Sequence, residues 1–200
     1  RKGVALRNKR LTGIALLAIS GLALLAVSSA TAAPSKKGGT IVVEMASDVD
    51  YIDPQLSYFG ETWKLEAITA CKLFNWPDKE GAAGAVAQPE VAAGLPVISK
   101  DGKTYTFTIK NTFKFSNGKA VTAKSFVDSM NRFANPKMQS TGVAFLDVVK
   151  GAQEVIDGKA QTISGVRAAG NKLIVQLTKA APDFLARTTM PFLQAIDPTL

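Results

Sequence analysis

The sequence predicts an α/β protein, and three stretches support that prediction. Tyr105, Phe107 and Ile109 alternate with polar residues, which is the two-residue period of a half-buried strand. Residues 162–168 and 172–178 flank a Gly-containing turn and predict a hairpin. Between these strands, an apolar stripe at helical spacing predicts a helix packed on them, formed by Phe126, Val127, Met130 and Phe133.

The stretch that links the Tyr105 strand to this helix contains turn and cap signals. Ser116-Asn117-Gly118 supplies residues that adopt positive φ at low cost, so we expect a tight turn. Thr122 precedes the helix and is placed to accept a hydrogen bond from its free amides. Asn135-Pro136 ends the helix, because the residue before a proline disfavours helical conformation.

Three segments upstream are assigned from composition and spacing. Residues 40–46 are almost continuously apolar and predict a first strand buried on both faces. Residues 61–74 have broadly helical spacing and predict a helix. Residues 81–89 are rich in Gly and Ala and predict a surface loop, with a domain linker as the alternative.

Three further signals complete the chain of elements. Asp101-Gly102 predicts a hairpin turn in front of the Tyr105 strand. Apolar spacing over residues 145–156 predicts a helix that Gly158 closes. Pro182 is expected as the first residue of a short helix, since proline at that position loses no hydrogen bond.

The N-terminus has the parts of a secretory signal peptide. Residues 1–10 carry five basic side chains, residues 11–27 are apolar and uncharged, and small residues follow. A retained transmembrane anchor is the alternative, but this apolar stretch is short against the ~20 residues that a spanning helix needs. We therefore predict cleavage after Ala32 or Ala33 and a periplasmic or secreted protein. No Cys lies there to carry a lipid.

Charge and residue inventory exclude several function classes. The chain has 24 basic and 16 acidic residues, and five of the basic ones lie in the predicted signal peptide, so the mature net charge falls from +8 to +3. The other basic residues are dispersed, which gives no basis for nucleic-acid binding. Without any His, and without a phosphate-binding loop motif, we expect neither an enzyme nor a cofactor. The single Cys, Cys71, excludes an intrachain disulfide and is expected to be buried.

The acidic loop and the two tryptophans have structural interpretations. The loop lacks the turn glycine and terminal glutamate of a calcium-binding loop, so we expect turn capping by Asp48, Asp50 and Asp53. Trp63 and Trp76 are expected to pack in the core or between domains.

Short motifs follow one another in a characteristic order over residues 38–200. They are Gly38-Gly39-Thr40, Ile52-Asp53-Pro54, residues 105–110, Phe115-Ser116-Asn117-Gly118-Lys119, residues 121–127, Asn131-Arg132, Asn135-Pro136, residues 151–154, Gly158-Lys159, residues 163–166, Leu177-Thr178-Lys179 and residues 182–185. In this order and spacing the chain resembles the N-terminal part of the family 5 solute-binding proteins, the oligopeptide- and dipeptide-binding receptors of ATP-binding-cassette importers.

The resemblance implies a two-lobed fold of the class II periplasmic-binding-protein type. Only part of lobe I, with its inserted α+β subdomain, is expected in this chain. Residues 1–33 are then the signal peptide, 34–39 a flexible leader, 40–74 the start of lobe I, 75–197 the inserted subdomain and 198–200 the return towards lobe I. Family members are much longer and the chain begins with Arg, so a fragment is expected.

The resemblance also implies a function and a site. The function is an extracytoplasmic receptor, expected to be monomeric, that delivers peptides or peptide-like solutes to the permease subunits of an importer. Tyr58, Phe59 and Gly60 match positions that line the family's cleft, although packing or surface exposure is an equal alternative for the two aromatic residues. Gly142 falls where peptide binders often carry Tyr, so Tyr58 or Phe59 would supply the stacking surface instead. An envelope structural or interaction module without a transport role is the alternative function.

Overall fold

The computed structural model describes residues 38–197 and Thr199, so the predicted signal peptide lies outside the described residues. The chain divides into two units, one ending at Glu44 and the other beginning at Met45. The predicted boundary between residues 74 and 75 falls inside the second unit. No helix among the described residues is both long and apolar enough to cross a bilayer.

The predicted strand over residues 40–46 does not form. The backbone of this segment has no strand hydrogen bonding, and Ile41 and Val42 are 84% and 86% exposed. A strand needs a neighbouring strand to pair its amides and carbonyls. The described part of the first unit, residues 38–44, contains no second strand that could pair with this run. The apolar run alone therefore does not make a strand.

The second unit contains two antiparallel sheets. The smaller sheet pairs β1 (Phe74–Asn75) with β2 (Gln88–Pro89). The larger sheet has four strands in the order β3-β4-β6-β5, with β3 at Val97–Ile98, β4 at Thr104–Thr108, β5 at Val166–Ala169 and β6 at Lys172–Gln176.

The larger sheet confirms both strand predictions. Tyr105, Phe107 and Ile109 are buried, whereas the intervening threonines are half-buried or exposed. Phe107 lies opposite Leu173 in the register of β4 and β6. Gly102 and Gly170 have positive φ in the connections to β4 and β6, as the turn signals predict.

The second unit also contains α-helices and short 3₁₀ helices. The α-helices are α1 (Gly60–Thr69), α2 (Ala123–Ala134), α3 (Ala152–Ile156) and α4 (Phe184–Arg187), and short 3₁₀ helices lie at Gly81–Ala83, Pro136–Met138, Thr141–Leu146 and Pro191–Leu193. The central helix α2 packs across β5 and β6. It confirms the cap prediction, because Ser125 donates its amide to the Thr122 hydroxyl and its own hydroxyl accepts the Thr122 amide.

The prediction of one helix over residues 145–156 is wrong. The chain forms a 3₁₀ helix up to Leu146, then bends, and α3 begins only at Ala152. The amide of Lys150 donates to the carbonyl of Gln176 at 2.9 Å, so this backbone pairs with the end of β6 and not with its own preceding turn. Gly151 then adopts a φ of +82°, which interrupts any helix.

Three other expectations need correction. Helix α1 ends at Thr69 and not near Phe74, because residues 72–74 hydrogen-bond to residues 88–92. Cys71 is exposed and not buried, since it lies in the bend after this shortened helix. Pro182 precedes α4, which begins at Phe184.

Gly151 is expected to be far less tolerant of substitution than Gly158. Both have positive φ, but a Cβ on Gly151 would lie 2.3 Å from the Ser164 hydroxyl oxygen, whereas a Cβ on Gly158 would meet nothing. We expect Gly158→Ala to lower the free energy of unfolding by about 1 kcal/mol, the cost of left-handed backbone. Gly151→Ala should cost about 3 kcal/mol, since overpacking adds to that cost. Equal losses in urea denaturation would contradict the close-approach explanation.

Candidate functional site

The loop before α1 is fixed by Asp50. Its carboxylate accepts hydrogen bonds from the backbone amides of Tyr58 (2.6 Å) and Phe59 (3.1 Å) and from the hydroxyl of Thr62 (2.6 Å). Desolvation would raise the pKa of this carboxyl, but the hydrogen bonds from Thr62 and the amides outweigh it and lower the pKa to about 2. An ionised Asp50 therefore holds the backbone that carries Tyr58.

Gln55 ties the same loop to α2 and to the 3₁₀ helix at Pro191–Leu193. Its side chain is fully buried, and its amide nitrogen donates to the carbonyl (2.7 Å) and hydroxyl (3.0 Å) oxygens of Ser129. The same nitrogen donates to the carbonyl of Phe192 at 3.4 Å. Arg132 donates to the Gln55 side-chain oxygen at 2.6 Å and forms an ion pair with Asp53 at 2.5 Å.

The acidic loop confirms the turn-capping interpretation. Asp48 accepts the amide of Val49 at 2.8 Å, and Asp53 accepts the amide of Gln55 at 3.0 Å. Within residues 38–197, no three or more side chains of metal-binding type come together. All three aspartates therefore accept backbone amides, while Asp50 also accepts the Thr62 hydroxyl and Asp53 pairs with Arg132.

A buried acid lies beneath the loop. Glu66 is 5% exposed and accepts a hydrogen bond from the Ser57 hydroxyl at 2.7 Å, while its second carboxylate oxygen has no partner among the described residues. Burial raises the pKa of Glu66, against the lowering effect of the Ser57 bond. This contact fixes Ser57, immediately before Tyr58.

Tyr58 presents half of its side chain to solvent and rests the other half on two aromatic rings. It is 48% exposed, and its ring centroid lies 5.8 Å from Trp63 and 5.9 Å from Phe192. Trp63 meets Phe192 edge to face at 5.7 Å and so confirms its expected packing role. Trp76, in contrast, is 47% exposed, which corrects the expectation that it packs.

The free side of Tyr58 borders an open depression of about 310 Å³. The depression combines an aromatic wall, small residues and an ion pair, and it is lined by Tyr58, Thr141, Ala144, Phe145, Asp183 and Arg187. Such a mixture suits an amphipathic ligand that stacks on a ring and presents polar groups to the rim.

Arg187 is held in place by its partners. It donates to Asp183 at 2.8 Å, to Asp147 at 2.5 Å and to the carbonyl of Phe145 at 3.0 Å. Burial would lower the pKa of Arg187, but the bonds to Asp147 and Asp183 raise it. The guanidinium is therefore a fixed part of the rim.

The structure brings two of the four predicted site residues together. Tyr58 lines the depression, and Gly142 lies buried against Phe192, the ring on which Tyr58 rests. Phe59 is 55% exposed at the N-cap of α1, and Gly60 begins that helix, so neither lines the depression.

Sequence reasoning missed three residues of this site. The sequence pattern predicts Phe145 in a helix over residues 145–156 and gives Arg187 and Phe192 no role. Their order in the chain gives no sign that they approach Tyr58, which is 87 or more residues away from each. The Met190-Pro191 pair next to Phe192 is the available signal, because proline is favoured at the first position of a short helix, and Phe192 lies in the 3₁₀ helix that begins at Pro191.

Comparison with known proteins identifies relatives of this chain. The family model described as bacterial extracellular solute-binding proteins, family 5, middle region, matches residues 86–198. A dipeptide-binding protein of Lactococcus lactis subsp. cremoris is 29% identical over 196 residues, which covers 96% of this chain and 34% of that protein. A periplasmic murein peptide-binding protein of Escherichia coli is 35% identical over 115 residues, covering 54% of this chain and 21% of that protein.

The fold is also similar to solved structures. The substrate-binding domain of an oligopeptide ABC transporter from Bacillus anthracis superposes with a TM-score of 0.68 at 29% identity, covering 74% of this chain and 28% of that chain. This chain therefore spans about a third or less of the length of the relatives it matches.

Gln55→Leu is expected to lower the free energy of unfolding by about 2 kcal/mol, because it leaves buried polar partners unpaired. Gln153→Leu is the matched control, since Gln153 is exposed and bonds only across one helical turn, to Asp157. That substitution should cost less than about 0.5 kcal/mol. Urea denaturation of the two variants measures both, and equal costs would show that the Gln55 contacts are not stabilising.

Asp50→Asn is expected to flatten the acid limb of the stability profile. The folded-state pKa of Asp50 is lowered to about 2, so the folded state favours the ionised form. That contribution is present above the ordinary pKa of about 4 and is lost as the pH falls towards 2. The difference in free energy of unfolding between wild type and variant should therefore shrink from pH 6 to pH 2. A constant difference across this range would contradict the assignment.

Proposed function

This chain belongs to family 5 of the bacterial extracellular solute-binding proteins, and from that membership we propose that it forms one wall of a receptor site for a peptide or peptide-like solute. Its fold is part of the class II periplasmic-binding-protein fold. The match of residues 86–198 to the family carries the proposal. Binding is the whole of the proposed chemistry, and no catalytic step is included.

The ligand class is supported by the relatives and by the site. The Lactococcus relative is a dipeptide-binding protein, and the Escherichia relative is a murein peptide-binding protein. The depression beside Tyr58 offers a ring face and polar rim groups, which suit a side chain of a peptide and its backbone amides.

The partner and location follow from the same membership. We propose that the receptor works outside the cytoplasm as a monomer and passes its solute to the permease subunits of an ABC importer. The Bacillus anthracis structure, named as the substrate-binding domain of an oligopeptide ABC transporter, supports this partner. Ligand would favour a closed arrangement of two lobes over an open one, and the permease would recognise the closed form.

Within this chain the four site residues have different proposed roles. Tyr58 contacts ligand directly, and Phe59 offers a second exposed ring at the same turn. Gly60 leaves open space beside Phe59 at the start of α1, where a Cβ would meet nothing within 4 Å, and this space is available to ligand. Gly142 shapes the support beneath Tyr58. Residues 40–74 and 75–197 are proposed as the start of lobe I and its inserted subdomain.

Calorimetric titration of the mature protein with a panel of di- to pentapeptides tests the proposal. We expect saturable binding of at least one peptide and a rise in melting temperature that follows its concentration. Binding of sugars or nickel complexes, with no binding of any peptide, would contradict the peptide assignment and retain a solute receptor.

Tyr58→Ala is expected to weaken binding of the best peptide by about tenfold, because an exposed aromatic anchor is removed. Tyr51→Ala is the control, since Tyr51 is a tyrosine of the same loop, 55% exposed, that does not line the depression. Its affinity should match wild type. Unchanged affinity of the Tyr58 variant would remove Tyr58 from the site.

A further inference from the structure

Phe192 lies at the centre of an aromatic cluster. Its ring is fully buried and stacks on Phe133 at 5.3 Å and on Phe145 at 5.5 Å between centroids. Trp63 and Tyr58 meet it at 5.7 Å and 5.9 Å. These four rings therefore restrict the position of the Phe192 ring.

Gly142 is a fifth residue that lies against the Phe192 ring. A Cβ built on Gly142 would lie 2.8 Å, 2.8 Å and 2.9 Å from three ring carbons of Phe192. The backbone of Gly142 is not left-handed, so its conformation does not require glycine. The close approach of the ring is the reason that a side chain does not fit there.

We propose that Gly142 is a positioning residue for ligand binding, which leaves room for Phe192 and thereby lets Phe192 hold Tyr58 against the depression. This inference rests on the proposed function, because Tyr58 is the residue that contacts ligand there. It assigns Gly142 a role through the cluster and not through a contact of its own with the solute.

The structure indicates how a displaced ring would relax. The Phe192 backbone is held by the Gln55 bond to its carbonyl, and Ser129 donates to the carbonyl of Gln194 at 2.5 Å. Phe133 on one face is fully buried. Tyr58 is the most exposed of the four surrounding rings, so displacement is relieved on its side.

Gly142→Ala tests this proposal when combined with Tyr58→Ala. The probe is the tightest-binding member of the di- to pentapeptide panel, measured by calorimetry. We expect Gly142→Ala alone to weaken binding about threefold to tenfold, the value of one or two aromatic contacts. In the Tyr58→Ala background the same substitution should have no further effect on affinity. Additive losses would overturn the proposal, because they would place Gly142 in independent contact with ligand.

Gly94→Ala is the matched control. Gly94 also lacks left-handed backbone, and a Cβ there would meet nothing within 4 Å. Its affinity for the probe should equal that of wild type. If Gly142→Ala also leaves the affinity unchanged in the folded protein, Gly142 has no positioning role.

A double variant and a fluorescence measurement provide two further tests of the proposal. Leucine lacks the two ring carbons that a Cβ on Gly142 would approach at 2.8 Å, so Gly142→Ala/Phe192→Leu should melt at a higher temperature than Gly142→Ala. Its affinity should stay low, because leucine does not support Tyr58 as a ring does. This variant also serves if Gly142→Ala alone does not fold. Recovery of affinity together with stability would overturn the role of the Phe192 ring.

Tryptophan emission reports the cluster without any ligand. Gly142→Ala should change the emission of Trp63, and the change should vanish in a Trp63→Phe background. Unchanged emission would overturn the proposed displacement of Phe192. If wild type binds no peptide, the proposed function fails. The Trp63 emission still shows whether Gly142 determines the position of the Phe192 ring in the aromatic cluster.

Discussion

The burial of the Phe192 ring is the contact on which the candidate site depends. It joins the Tyr58 loop and the adjoining start of helix α1, through Trp63, to two parts much later in the chain: helix α2 through Phe133, and the 3₁₀ helix that carries Phe145. Because these aromatic rings are closely packed, a small change in volume at one residue around Phe192 displaces the others. Tyr58 is consequently a surface residue whose orientation is decided from the core.

Two sets of hydrogen bonds, those of Asp50 and those of Gln55, complement that packing. Asp50 holds the outer side of the loop with charge-assisted hydrogen bonds to consecutive amides, whereas Gln55 holds its inner side with buried amide bonds to α2 and Phe192. The first depends on pH, because it requires an ionised carboxylate, and the second does not. A loop fixed on both sides would lose little conformational freedom on contact with a ligand, which would favour affinity.

The depression beside Tyr58 is open among the described residues. The Lactococcus relative is about three times the length of this chain. We interpret the depression beside Tyr58 as one wall of a binding site, with its fixed Arg187 at the rim. Such a wall contributes a stacking face and polar groups, and the ligand's remaining contacts would come from elsewhere in the receptor.

The order of short motifs over residues 38–200 indicated the family. The sequence by itself also determined the local elements: the strand at Tyr105, the hairpin over residues 162–168 and 172–178, and the capped helix α2. Each is set by residues within a few positions of one another, so period, turn and cap signals suffice. Only the tertiary structure decided the rest. The helix proposed over residues 145–156 is interrupted because Lys150 pairs with Gln176, and the apolar run at residues 40–46 makes no strand without a neighbour. The approach of Gly142 and Tyr58 to Phe192 is likewise a matter of long-range packing, which no local pattern encodes.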